Sequence, residues 1–334
     1  MKNKIIILSL LLLLAALFVA NIFWGSVHID AADVIKALTH PGSHDNVAFI
    51  ITGSRLPAAL TATLAGAGLA VSGLMLQTAF HNPLAGPSIL GISAGANLGV
   101  AIVILAFGGG IATTIYTLSG GLAIIGAALI GSMAIMALLI FLSAILKNNL
   151  MLLITGIMVG YLTSSVISLI NFLASAGNIQ SFIIWGMGNF NGVCMQQMPI
   201  FAALCLLGIL LSSLLVKPLN AILLGERYAS NLGVNIQRTR SLLLLATGLL
   251  TAVITAYCGP IAFIGLATPH IAFLVIGTSN HRLLLPATLI AGSIIALLCN
   301  LLCTLPASTV VPLNAVTPIM GVPVILYIVL KRNR

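Results

Sequence analysis

The chain has 334 residues, of which 60% are hydrophobic and 5% charged, with 13 Lys+Arg against 4 Asp+Glu. A water-soluble domain of this length keeps roughly a quarter of its residues charged to hold its surface in water, so a soluble fold is excluded. The surface must face lipid, and the expected class is an all-α, polytopic integral membrane protein, because helices satisfy their own backbone groups in hydrocarbon.

A lipid-spanning helix needs about 20 mainly apolar residues. Between the charges and turn signals, ten segments qualify, approximately 5–24, 57–80, 88–107, 119–146, 150–173, 196–216, 239–257, 260–277, 283–303 and 314–330. Lys2 and Lys4 ahead of the first apolar run would also suit a secretory leader. The run from Ile5 to Trp24 is longer than a leader core, and no small-x-small cleavage site follows it, so a retained anchor is expected. In segment 25–55, Val27, Ile29, Val34, Ile35 and Leu38 alternate with Asp30, Asp33 and Lys36. That pattern predicts a short helix lying on the outer interface.

Small residues recur every fourth position at Gly91, Gly95 and Gly99 and again at Gly156, Gly160 and Ser164. Such stripes let helix backbones approach closely in lipid. The stretch 174–195, with Trp185 and Gly186-Met187-Gly188-Asn189, reads as a second outer re-entrant or surface piece. Gly259-Pro260, Pro269, Pro318 and Gly321-x-Pro323 interrupt the later spans. Lipid tolerates such breaks where protein or a water-filled path satisfies the freed backbone groups.

With the N-terminus placed in the cytoplasm, the basic residues divide eleven against two. Lys2, Lys4, Lys147, Lys217, Arg227, Arg238, Arg240, Arg282, Lys331, Arg332 and Arg334 fall inside, while Lys36 and Arg55 fall outside. The excess of positive charge on cytoplasmic loops orients membrane helices, and it places both termini inside. Asp30, Asp33 and Asp45 lie outside and Glu226 inside. The net charge of +9 thus reports orientation. A basic patch of the kind that binds nucleic acid is missing.

Gly91-Ile92-Ser93-Ala94-Gly95 matches the G-x-S-x-G nucleophile elbow, which needs a strand–turn–helix setting. Here the segment opens a predicted helix, the candidate base His270 falls at the opposite end of its span, and no orienting acid is within reach, so no enzyme is expected. Cys194, Cys205, Cys258, Cys299 and Cys303 show no C-x-x-C spacing. Packing is their expected role, and neither a metal site nor a cofactor bound by this chain is expected. Ion-coupled carriers embed ionisable residues in their helices, whereas all four acids here fall in loops. A stand-alone secondary carrier or channel is therefore the disfavoured rival. G-x-x-x-x-G-K-[ST] is absent, so ATP and its Mg would be handled by a separate subunit.

In loop 217–238, Leu224, Tyr228 and Leu232 form an apolar stripe with Glu226 and Arg227 on the polar side, and Gly233 stands where a C-cap glycine belongs. Such a helix either rests on the lipid interface or sits in a partner's groove; periodicity does not choose between them.

Three stretches carry a resemblance. Arg55-Leu56-Pro57, Leu64-Ala65-Gly66-Ala67-Gly68-Leu69-Ala70-Val71-Ser72-Gly73, Gln77 and Asn82-Pro83-Leu84-Ala85 form the first. Leu224-Gly225-Glu226 with Leu232-Gly233-Val234 is the second, and Gly259-Pro260-Ile261-Ala262-Phe263-Ile264-Gly265-Leu266 with Pro269-His270 and His281-Arg282 the third. Together the sequence resembles the FecCD-type permeases, membrane subunits of ABC importers for iron–siderophore complexes, haem and cobalamin.

The resemblance implies a type II importer permease, a single transmembrane domain over 1–334 with about ten helices, in a bacterial inner membrane. It further implies a homodimer around a central path, two cytoplasmic ATPases and an external substrate-binding protein. Leu224, Gly225, Glu226, Arg227, Tyr228, Leu232 and Gly233 would form the coupling helix that enters a cleft of the ATPase. Arg55 would dock the binding protein, the alternative being an interfacial arginine that anchors its span. Asn82, Leu84, Asn148 and Asn149 would serve as cytoplasmic gates. Gly156, Gly160 and Ser164 on the fifth span would suit a dimer contact or a wide lumen. The sequence departs from the family at Ala58, where relatives carry a second arginine, and at Val310-Val311-Pro312-Leu313-Asn314, where an acid is usual.

Overall fold

The computed structural model describes residues 2–39, 46–106, 118–146, 149–304 and 310–332. Among the described residues there are helices and turns and no strand. In chain order the helices are α1 (Lys2–Phe23), α2 (Ala31–Thr39), α3 (Asn46–Ala79), α4 (Ile92–Ala101), α5 (Leu118–Ile145), α6 (Asn149–Leu173) and α7 (Ala176–Gly186). They continue with α8 (Met198–Leu214), α9 (Val216–Ile222), α10 (Glu226–Asn231), α11 (Ile236–Cys258), α12 (Ile264–Ile276), α13 (His281–Thr304) and α14 (Leu313–Arg332).

Apolar helices stand at each position where a span is predicted. Six of them, α1, α3, α5, α6, α11 and α13, are long and apolar enough to cross a membrane. A seventh is the pair α8 and α9, bent by 48°. Of the remaining three, α14 runs 20 residues (Leu313–Arg332), while α4 and α12 are shorter. Their shortness has local causes. Gly91 at φ 79° precedes α4, while Phe263 at φ 65° and Gly277 at φ 73° bracket α12. A backbone with positive φ cannot continue a right-handed helix.

The chain divides into two compact units, residues 1–71, 189–206 and 261–334 forming one, and residues 72–188 and 207–260 the other. In the first, α13 packs against α1, α12 and α14. Glycines let α13 meet α3 almost backbone to backbone: a Cβ added at Gly66 would stand 2.5 Å from Ala296 Cβ, and one at Gly292 2.5 Å from Ala70 Cβ. Ser293 Oγ seals the same contact by donating to the Thr63 carbonyl at 2.8 Å. Asn21 of α1 donates to the Leu297 carbonyl and accepts from Asn300 Nδ2 at 2.8 Å.

In that unit, the amphipathic pattern of 27–38 divides. Val34 and Ala37 of α2 are buried with Ile22, Ala48 and Ile51, and Ile29 packs on them. Val27, Ile35 and Leu38 point outward instead, so α2 has two apolar faces, of which only one meets the protein.

In the second unit, α5 packs along α4 and α11, and α4 along α6. The small-residue stripe on α4 makes this possible, since a Cβ at Gly95 would come within 2.5 Å of the Gly131 carbonyl oxygen of α5. The G-x-S-x-G glycines therefore serve helix packing. The stretch expected as an outer surface piece contains α7, whose Phe182 and Trp185 pack on Ala96, Val100, Ile104, Ile124, Ala128 and Ala256.

Candidate functional site

The segment that links α8 to α11 turns twice within a few residues. α9 ends at Ile222, Leu223 and Leu224 follow, and Gly225 sits at φ 111°, ψ 143°, a conformation open to glycine and costly for other residues. α10 then starts at Glu226, so Leu224 precedes the helix rather than opening its stripe as the periodicity predicts. The end of α10 is a Schellman motif: Gly233 N–H donates to the Ser230 carbonyl at 2.9 Å and Val234 N–H to the Ala229 carbonyl at 3.0 Å, with Gly233 at φ 83°. Asn235 restarts the chain by capping α11 through its side chain, which accepts from Arg238 N–H at 2.9 Å.

The outcome is a small knob with little burial of its own. Ala229 is its buried residue, while Leu224, Tyr228 and Leu232 are 67%, 51% and 60% exposed. Arg227 is exposed beside them. Apolar side chains left uncovered next to charge suit either the lipid interface or a partner's groove.

Arg240 and His81 tie the segment 222–226 to the rest of its unit. Arg240 of α11 donates from one guanidinium nitrogen to the Leu146 carbonyl at the end of α5, at 3.3 Å, and from another to Glu226 Oε1 at 3.4 Å. Its side chain is 9% exposed, against 37% for Glu226. At the other end His81 Nε2 lies 3.2 Å from the Ile222 carbonyl oxygen. His81 itself adopts φ 48° just after α3. The Asn82–Leu84 turn that follows is fixed by Asn82 Oδ1, which accepts from Leu84 N–H at 2.9 Å. Leu84 is exposed. Two of the expected gate residues thus lie in the turn directly after His81, which itself meets the end of α9.

The other expected site residues fall elsewhere. Asn148 lies outside the described residues, and Asn149 is the first residue of α6. Gly156 and Gly160 pack on the entry to α4: a Cβ at Gly156 would be 3.1 Å from Leu90 Cα, and one at Gly91 2.9 Å from the Gly156 carbonyl oxygen. These glycines are therefore occupied within the chain. Ser164 is exposed, on a helix that also presents Met151, Ile154, Met158, Tyr161 and Leu162 outward.

Arg55 turns back onto the end of α1. It is 8% exposed, and its guanidinium donates to the carbonyls of Ile22 and Phe23 at 3.0 and 2.8 Å and to that of Val27. A cation at a helix C-terminus meets the negative end of the dipole and the unsatisfied last carbonyls. Docking by ion pair requires an exposed charge, and this one is committed to α1.

Sequence reading missed Arg240 and His81. Arg240 could have been found, since a cation inside an apolar helical run calls for a named partner. His81 could not, because its contact joins residues 141 positions apart through a backbone carbonyl.

Comparison with known proteins supports the pattern. The family model for the FecCD transport family matches residues 12–331. The chain is 34% identical over 331 residues to the vitamin B12 import system permease protein BtuC of Salmonella typhi, covering 98% of this chain and 94% of that protein. It is 35% identical over 282 residues to the protein of the same name from Citrobacter koseri, covering 84% and 82%. A solved structure described as an inward-facing conformation of a metal-chelate type ABC transporter superposes with a TM-score of 0.83 at 28% identity, over 98% of this chain and 99% of that one. From its apolar helices, its glycine-seamed packing and this full-length match, the chain belongs to the FecCD transport family.

Proposed function

We propose that this chain is the permease subunit of an ATP-binding-cassette importer, working as a homodimer and moving cobalamin, an iron–siderophore complex or haem inward by alternating access. The carrying observation is the knob at 224–233. It is exposed, apolar at its tip, charged at its flank and tethered to α5 and α11. A helix of this kind fits a partner's groove, and the partner is one of two cytoplasmic ATPases that bind ATP and Mg. The permease itself makes and breaks no bond.

The excess of basic residues on the loops of the knob's side supports a cytoplasmic knob and cytoplasmic termini, in a bacterial inner membrane. An extracytoplasmic binding protein delivers the cargo. Since Arg55 is committed to α1, docking of that protein rests on other outer residues. Among the described residues the buried charged groups are Arg55 and Arg240, and no Asp or Glu is buried. A proton- or sodium-coupled carrier would keep such an acid within its helices.

Reconstitution tests the reading. Proteoliposomes holding the permease with its ATPase and cognate binding protein are expected to take up labelled cobalamin, iron–siderophore or haem when supplied with ATP. Uptake that persists without ATPase and nucleotide would establish a stand-alone carrier.

A further inference from the structure

We infer that Arg240 is the positioning residue that couples movement of the 224–233 knob to the membrane-spanning helices, an inference that rests on the importer reading above. Three elements meet on its guanidinium: α11, which carries it, the end of α5 through the Leu146 carbonyl, and the start of α10 through Glu226. Arginine suits this place because its planar fork serves two acceptors at once and cannot shed its charge. A nearly buried cation needs its carboxylate, since breaking such a pair leaves one charge uncompensated in a poorly solvated site.

The surroundings leave the knob free to move on this tether. Leu223, Leu224, Arg227, Tyr228, Ser230 and Leu232 are exposed. Gly225 has open space around it. A cleft of about 370 Å³ lies beside the pair, lined by Ser143, Ser230 and Gln237 among others. Both hydrogen bonds, at 3.3 and 3.4 Å, are at the long end of the N–H···O range. Because α5 and α11 pack along one another, a pull on Glu226 acts on a stiff helix pair rather than on a loop. Packed elements of this kind carry coupling between distant sites.

The test uses the complete transporter in proteoliposomes, with uptake and ATP hydrolysis measured together. Arg240→Gln is expected to lower cargo moved per ATP hydrolysed by about fivefold, with hydrolysis largely retained. Arg240→Lys, which keeps the charge but loses the fork that serves two acceptors, should recover only part of the ratio. Glu226→Gln should match Arg240→Gln, and the double variant should be no worse than either single one. A wild-type ratio in Arg240→Gln overturns the inference. So does loss of the assembled complex in both Arg240 variants, which would make the contact an anchor for folding. Wild-type uptake that ignores ATP would instead sink the importer reading, and the variant ratios would not enter.

Discussion

Gly66 and Gly292 show how much a single hydrogen in place of a side chain decides. Where α3 and α13 cross, any Cβ would overlap the opposite helix, so Gly66→Leu should cost about 1–3 kcal/mol or more through overpacking. Gly126 is the contrasting case, with nothing within 4 Å of an added Cβ. Gly126→Ala should leave stability unchanged or raise it by up to about 1 kcal/mol through helix propensity. The thermal midpoint of the purified protein in detergent separates the two. At Arg55, Arg55→Ala removes donors from three carbonyls around the end of α1. The expected loss is about 1.5–3 kcal/mol, the usual worth of hydrogen bonds to a charged group, again read as a lower midpoint. Composition made Arg55 visible as a charge at the edge of a span. It could not say whether the guanidinium turned outward or back onto α1, because that depends on where Ile22, Phe23 and Val27 end up in space.

At the scale of the element, the long helices were legible because apolar runs of span length leave little choice. The ends of the short ones were not. α12 begins after Phe263 at φ 65°, a residue type that gives no sign of a turn. α10 is shorter than its stripe suggested, because Gly225 stops the helix from reaching back to Leu224. The fourfold spacing of Gly156 and Gly160 was plain in the sequence, yet their neighbour proved to be the start of α4 within the same chain. Spacing identifies a close contact without naming who makes it. Gly225 offers a clean element-level test: open space surrounds it, so Gly225→Ala acts through the backbone alone, at about 1–3 kcal/mol for that φ and ψ. The exposed knob should bend while the thermal midpoint barely moves. Pull-down of the ATPase by the detergent-solubilised permease is expected to weaken, and undiminished capture would show that the shape of the link is immaterial.

For the whole molecule, the family fold and the transport role follow from composition, span count and three motif stretches, each of which is local in sequence. What joins the knob to the helices is not local, since Arg240, Glu226 and Leu146 come from three separate elements. Changing Glu226 and Arg227 together should uncouple ATP hydrolysis from uptake while leaving membrane insertion intact; normal transport by that variant would argue against the coupling role of the knob. The most direct measurement is labelling of Leu224→Cys, in a background where the part-exposed Cys194 is replaced by serine. A membrane-impermeant maleimide should fail to reach the new thiol in intact cells, react in inside-out vesicles, and be blocked there when the ATPase is bound. Labelling in intact cells, or labelling in vesicles that ignores the ATPase, would contradict a permease driven through this knob.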